Sequence, residues 1–379
     1  MDSFDGFRER FRVPPGIYLL NHSAGALPVA AQAKQERFFA SWQSRGGDAW
    51  NEWLGQVDEF RGALAQLLGG RPEEFCPQAG VTGGIVKLLH GVNPRPGRGK
   101  ILCSALDFPS VGFALQQLER RGWQLVMMEP DAQGFFPLEQ WQRSLTEEID
   151  WALITHSLYG NSWLNPVAEI TALARAHGVR TLVDIAQSTG VVPISLPVWA
   201  ADAVAGSCVK WLCGGPGAGF LWVNPASLKT FQPEDIGWFS HENPFEFDLK
   251  NFRYAPDARR FWGGTPSILP YAIASAGIET LTRIGVEKIR IHNQRLVQRL
   301  LDAAQGQGLR AATPMNPQQR GGTAVIVFPD PPATAARLQA ANIRCDFRPG
   351  FGVRFSPHIY NTEQEIETVI GALANCHDE

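Results

Sequence analysis

The chain has 379 residues, 44% hydrophobic and 19% charged, a composition that excludes disorder and fibres. A formal net charge of −3 gives no overall electrostatic footprint for nucleic acid or an anionic membrane. No run of about 18 uncharged apolar residues exists to span a bilayer, and the opening MDSFDGFRERF lacks the apolar stretch of a signal peptide.

The length points to two domains. Cys76, Cys103, Cys208, Cys213, Cys345 and Cys376 show no CxxC pairing and no zinc-ligand spacing with His. A structural metal is therefore not expected, and their apolar neighbours favour buried, reduced thiols in the cytoplasm.

In chain order, residues 18–28 (YLLNHSAGALP) read as an irregular Gly/Pro segment visiting a site. Residues 79–87 (AGVTGGIVK) form a Gly-rich turn that opens a helix, whose free N–H groups and Thr82 hydroxyl suit a phosphate. Strands are predicted at 100–104, 124–128, 151–155, 181–183, 201–206 and 219–223, with helices over 112–121 and 167–177. Pro166 suits the start of the second helix and Gly178 its stop. This rhythm predicts an α/β fold with a mostly parallel sheet covered on both faces. After about residue 265 the character changes to helices over 268–284, 286–306, 333–341 and 362–376, with strands over 324–328 and 354–356. The expected organisation is an N-terminal segment (1–30) reaching the active site, a large domain (31–265) and a smaller α+β domain (266–379).

Two residues carry the chemistry. Asp184 follows TLV at the carboxyl end of a predicted parallel strand, the edge where open α/β sheets bind ligands. Only seven of the 34 basic residues are Lys, and Lys210 lies among apolar neighbours in GSCVKWL. Burial without an acidic partner lowers an amine's pKa and makes it a usable nucleophile. Lys87 falls within a helix, where it can snorkel. An acid at a strand end with an apolar lysine fits pyridoxal phosphate. The lysine would form the Schiff base and the acid would pair with the ring nitrogen. On these two residues alone, a capping Asp184 and a solvent-reaching Lys210 fit equally well. Ser207 can add a phosphate contact, and Phe108 in DFPS can stack on a flat cofactor or belong to the core. Arg354 in VRFS has an apolar surround that calls for a bound carboxylate or a structural acid.

YLLNHSAGALP, DFPS, VDIAQSTG, SCVKWLCGGPGAGFLWV and RFSPHIYNTEQEI together resemble the class V aminotransferase fold of pyridoxal phosphate enzymes, fold type I, along nearly the whole chain. IGWFSH (236–241) and RFWGGTPSIL (260–269) resemble kynureninases within that fold. The resemblance implies Lys210 as Schiff-base lysine, Asp184 on the ring nitrogen, Phe108 stacked on the ring and Gln187 at the phenolic oxygen. It also implies Thr82 and Ser207 at the phosphate, joined by Trp238 and Thr265 from the neighbouring subunit of a homodimer. Arg354 would hold the substrate α-carboxylate, with Asn21 and His22 approaching the substrate.

The chain departs from kynureninases in carrying Gln187 where His is usual and Val209 where Tyr is usual, which weakens kynurenine itself as substrate. The loop FRPGFG has no cysteine where class V desulfurases need one, so a persulfide mechanism is not expected. His22 and His241 are candidates for a second acid or base, or for hydrogen-bonded loop residues. Trp163, Trp238 and Trp262 suit an aromatic-walled pocket or a dimer interface. The expected activity is cleavage at Cβ of a free α-amino acid, hydrolytic or eliminative, with transamination as the alternative. The intact lysine, acid and arginine argue against a catalytically silent binding protein.

Overall fold

A computed structural model describes residues 5–374; Cys376 and the predicted end of the closing helix lie outside them. Seven strands form the main sheet: β1 (Phe75–Gln78), β2 (Lys100–Ser104), β3 (Gln124–Met128), β4 (Ile149–Thr155), β5 (Arg180–Asp184), β6 (Ala203–Ser207) and β7 (Gly219–Val223). Their order is β1-β7-β6-β5-β4-β2-β3. The five strands from β6 to β3 run parallel, and β7 is antiparallel to both β6 and β1.

Apart from the edge strand β3, the sheet is buried on both faces, so its strands read as unbroken apolar runs without alternation. Every residue of β4 and β7 is buried. Successive side chains nevertheless go to opposite faces. Ala152, Ile154, Val183 and Val204 join one core cluster, while Trp151, Leu153, Leu182 and Ala205 join another. The first cluster is covered by α1 (Ala31–Arg45), α2 (Trp50–Leu68) and α6 (Leu269–Ile284). The second is covered by α3 (Val81–His90) and α4 (Pro109–Gln116), and α5 (Val167–Ala176) lies on the first face. The helix predicted over 112–121 starts earlier, with Pro109 in its first turn, and tightens into a 3₁₀ turn over Gln117–Arg121.

After α6 and α7 (Val286–Gly306) comes a small antiparallel sheet of β8 (Arg310–Ala311), β9 (Ala324–Val327), β10 (Asp346–Arg348) and β11 (Gly352–Phe355), in the order β8-β9-β11-β10. Its core runs from Leu296 to Leu373 and includes Leu19. The N-terminal segment reaches it by parallel pairing of Ile17–Tyr18 with Ile343–Arg344. α6 buries Tyr271, Ala274, Ile278 and Leu281 in the large-sheet core instead, so the small unit's own packing starts one helix beyond residue 265. Among the described residues, no helix is long and apolar enough to cross a membrane.

Candidate active site

β4, β5 and β6 end side by side at Thr155, Asp184 and Ser207, and the chain leaves β2 through Asp107-Phe108. Above these ends lies an open cleft of about 620 Å³, solvent at its mouth included, lined by Thr82, Phe108, Tyr159, Asp184, Gln187, Ser207 and Lys210 among others. Six sequence-derived candidates from four separate segments therefore meet in one cavity. Close backbone approach makes this possible. Gly219, paired with Ser207, lies so near the start of α3 that a Cβ would come within 2.8 Å of Gly80 Cα. That contact brings the first turn of α3 beside Ser207. Neither the Thr82 nor the Ser207 hydroxyl has a hydrogen-bond partner among the described residues, and α3 presents its free N–H groups at the same place.

The Lys210 amine lies 5.6 Å from the centroid of the Phe108 ring and makes no ion pair among the described residues. Burial lowers its pKa, Asp184 opposes the shift, and Arg354 and Arg348 add to it. Asp184 is 5% exposed. Its carboxylate accepts from the Ala186 backbone N–H at 2.8 Å, and burial raises its pKa against that bond and the Lys210 charge. A buried acid facing a cavity without a paired cation suits a protonated ring nitrogen. Phe108 is 43% exposed, yet it is held edge-on to Tyr159 at 5.3 Å, leaving a face for a flat ring. Asp107 fixes this turn. It accepts from the Ser104 N–H at 2.9 Å and the Thr155 hydroxyl at 2.7 Å, and burial pushes its pKa up to about 7.

The backbone of the N-terminal segment packs on the chain at Val209 and Lys210. The Gly25 N–H donates to Val209 O at 2.9 Å, and a Cβ on Gly25 would come within 2.3 Å of Lys210 O. Gln187 donates to His22 O at 3.1 Å and accepts from the Trp211 indole at 3.4 Å. The side chains of Asn21 and His22 do not line the cavity. Asn21 donates to Ser356 O at 2.7 Å and accepts from Tyr360. Both His22 nitrogens are engaged, and burial pushes its pKa down to about 4. A pKa of about 4 leaves it neutral near pH 7, bonded to Ser356 and Asp346.

Arg354 is also set back from the cavity. It is 2% exposed and paired through two bonds to Asp346, the structural acid that its apolar surround called for. It reaches the cleft through Tyr159, whose carbonyl accepts from Nη1 at 2.9 Å. Lys87 is far from this chemistry, donating to Trp262 O at 2.7 Å and lying 3.4 Å from Asp235. Trp238 and Thr265 are bonded to each other at 3.3 Å on the surface. Trp238 and His241 line a second cleft that shares no residue with the first. Trp163 stacks on Phe135 in the core and Trp262 packs on Phe239, so the cavity's aromatic walls are Phe108 and Tyr159. Sequence reasoning missed Tyr159, Thr155, Ser157 and Asp346; no local motif marks them.

The chain belongs to the class V aminotransferases, whose family model matches residues 17–369. Their cofactor is pyridoxal phosphate, which the unpaired hydroxyls, the buried acid, the open aromatic face and the apolar lysine all fit. Among individual proteins, an uncharacterized aminotransferase, YcbU, of Bacillus subtilis is 28% identical over 86% of this chain and 86% of its own length. Kynureninase of Bacillus mycoides is 28% identical over 98% of this chain and 91% of its own. A cysteine desulfurase from Thermococcus onnurineus shares the fold, with a TM-score of 0.88 at 22% identity over 99% of this chain and 98% of its own. The cystine C–S lyase C-DES does so too, at a TM-score of 0.87 and 22% identity over 99% of this chain and 100% of its own.

Proposed function

We propose that the protein is a pyridoxal phosphate enzyme that cleaves a free α-amino acid at Cβ, hydrolytically or by elimination. The observation that carries this is Lys210, a half-buried lysine without an ion pair among the described residues, lining the cleft with Phe108 and Asp184 at the sheet edge. The bound cofactor supplies an electron sink for charge developing at the substrate Cα. Lys210 then moves the Cα proton, and burial lowers its pKa, the direction that favours an amine able to accept a proton. Asp184 holds the proton on the ring nitrogen. Thr82, Ser207 and the first N–H groups of α3 bind the phosphate, Gln187 reaches the phenolic oxygen, and Arg354 receives the α-carboxylate.

Cleavage at Cβ is supported by the kynureninase relatives, which extend over nearly the whole chain. Transamination is the second reading, favoured by the similarity to YcbU. A relayed persulfide is disfavoured, since each of the five described cysteines is buried, Cys345 in the core of the small unit. Incubating the cofactor-loaded protein with a panel of amino acids and identifying products separates the outcomes. Release of alanine, or of pyruvate with ammonia, without a keto-acid acceptor supports cleavage. Product formed only with an added keto acid supports transamination.

The exposed Trp238–Thr265 pair is assigned to the phosphate site of a second subunit. Mixing inactive Lys210→Ala with Thr265→Ala should restore activity in exchanged dimers, because one of the two shared sites is then free of both lesions. No recovery despite subunit exchange and a clear defect in Thr265→Ala alone overturns sharing.

A further inference from the structure

Asp346 and Arg354 face each other across β10 and β11, close to the cavity but outside its lining. Arg354 Nε and Nη2 donate to Asp346 Oδ1 and Oδ2 at 2.8 and 2.7 Å, and Nη1 donates to Tyr159 O at 2.9 Å. A guanidinium has five N–H groups in a fixed plane. These bonds use three and leave two, one on each terminal nitrogen, the donors an incoming carboxylate takes as a fork.

Asp346 is itself held. His22 Nε2 lies 2.9 Å from Oδ1, and Arg348 Nη1 lies 3.2 Å from Oδ2. A carboxylate only accepts, so Nε2 carries the proton. Nδ1 of the neutral ring then accepts from the Ser356 hydroxyl at 2.6 Å, and Ser356 accepts from the Thr323 hydroxyl at 2.7 Å. Donation runs one way, from Thr323 through Ser356 and His22 to Asp346. Three side chains, His22, Arg348 and Arg354, fix one carboxylate, more than charge neutralisation of an arginine requires.

We propose, on the reading that Arg354 receives the substrate α-carboxylate, that Asp346 is the positioning residue that orients its two remaining N–H groups, with His22 fixing Asp346. The opposite arrangement, Asp346 as a competitor for Arg354, has the opposite signature, because its removal would tighten carboxylate binding.

The test compares binding of L-alanine and L-alaninamide, which lacks the carboxylate, to the cofactor-loaded protein by the change in visible absorbance. Wild type should prefer L-alanine. Asp346→Asn should reduce that preference roughly 10- to 100-fold, the cost of a misplaced clamp, with L-alaninamide binding unchanged. His22→Leu should shift it in the same direction by less, and His22→Gln, which keeps an N–H donor, should recover part of it. Unchanged or tighter L-alanine binding in Asp346→Asn overturns the proposal. If that variant does not fold, an unchanged preference in His22→Leu overturns it. Arg354→Lys separates the two levels. A preference that survives there, or is absent in wild type, removes the reading of Arg354 itself. A preference lost there but kept in Asp346→Asn removes only the role of Asp346.

Discussion

The edge of the large sheet and the strand pair Asp346–Arg354 stand a short distance apart and are built on opposite principles. At the sheet edge, Lys210, Asp184, Thr82 and Ser207 have polar atoms with few or no protein partners among the described residues. Around Arg354 nearly every polar atom is already bonded to the protein. Unmet hydrogen-bonding capacity costs stability in the free protein and is recovered when a ligand binds. Saturated bonding fixes a group's direction before any ligand arrives. One region keeps bonding capacity in reserve; the other is fixed in direction by the protein itself.

The largest effect should come from the receiving region. Lys210→Ala should lower turnover by at least ~10²–10⁴-fold, the usual share of a positioned acid–base group, while the phosphate contacts still hold the cofactor. Borohydride should fix the cofactor to Lys210 in wild type; recovery of the label on Lys87 would remove the assignment. Asp184→Asn keeps the shape and removes the charge. Turnover should drop by roughly 10²–10³-fold with an unchanged circular dichroism spectrum. Near-normal rates would mean that the ring nitrogen needs no charged partner, and the contrast between the regions would lose its chemical meaning.

Acid should act on the saturated network through His22 and on the rest of the fold through two further buried histidines. Burial holds His22 at about 4, His156 at about 3 and His358 at about 4, all below the unfolded value of about 6.5. The unfolded chain then binds more protons, so stability is full above pH ~6.5 and falls as pH drops toward 4. The limit is about 1.4 kcal/mol per pH unit for each histidine. Urea midpoints measured across this range should decline, and His22→Gln should flatten the decline. The smallest effect sharpens the boundary between the regions. Gly160 follows Tyr159, and a Cβ there would meet the Phe351 ring at 2.4 Å. Gly160→Ala should cost about 1–3 kcal/mol by denaturant unfolding, as overpacking does.

Much of the large sheet is legible in the amino-acid sequence, because its strands are short, mostly apolar runs bounded by turns. Lys100–Ser104, Gln124–Met128 and Gly219–Val223 span the residues that local pattern assigns to them. Lys210 and Asp184 stand out because a lysine among apolar residues and an acid at a strand end are chemically conspicuous. α1 is harder to see: of its fifteen residues only Ala31 and Ser41 are buried, so no apolar stripe marks it. Asp346 is hidden for another reason. Its meaning depends on the hairpin register that sets it opposite Arg354, and on His22 arriving from the far end of the chain. Register and long-range approach are tertiary facts with no local signal.

The pairing of Ile17–Tyr18 with Ile343–Arg344 has a consequence for synthesis of the chain. Asn21 and its partner Ser356 are 335 residues apart. At roughly 5–20 residues per second, the early segment emerges tens of seconds before the strands it joins exist. Through that interval Leu19 has no core to enter. The nascent protein can therefore complete its large sheet well before its N-terminal segment is tied down, because the partners of that segment, Ile343–Arg344 and Ser356, come in about the last tenth of the chain.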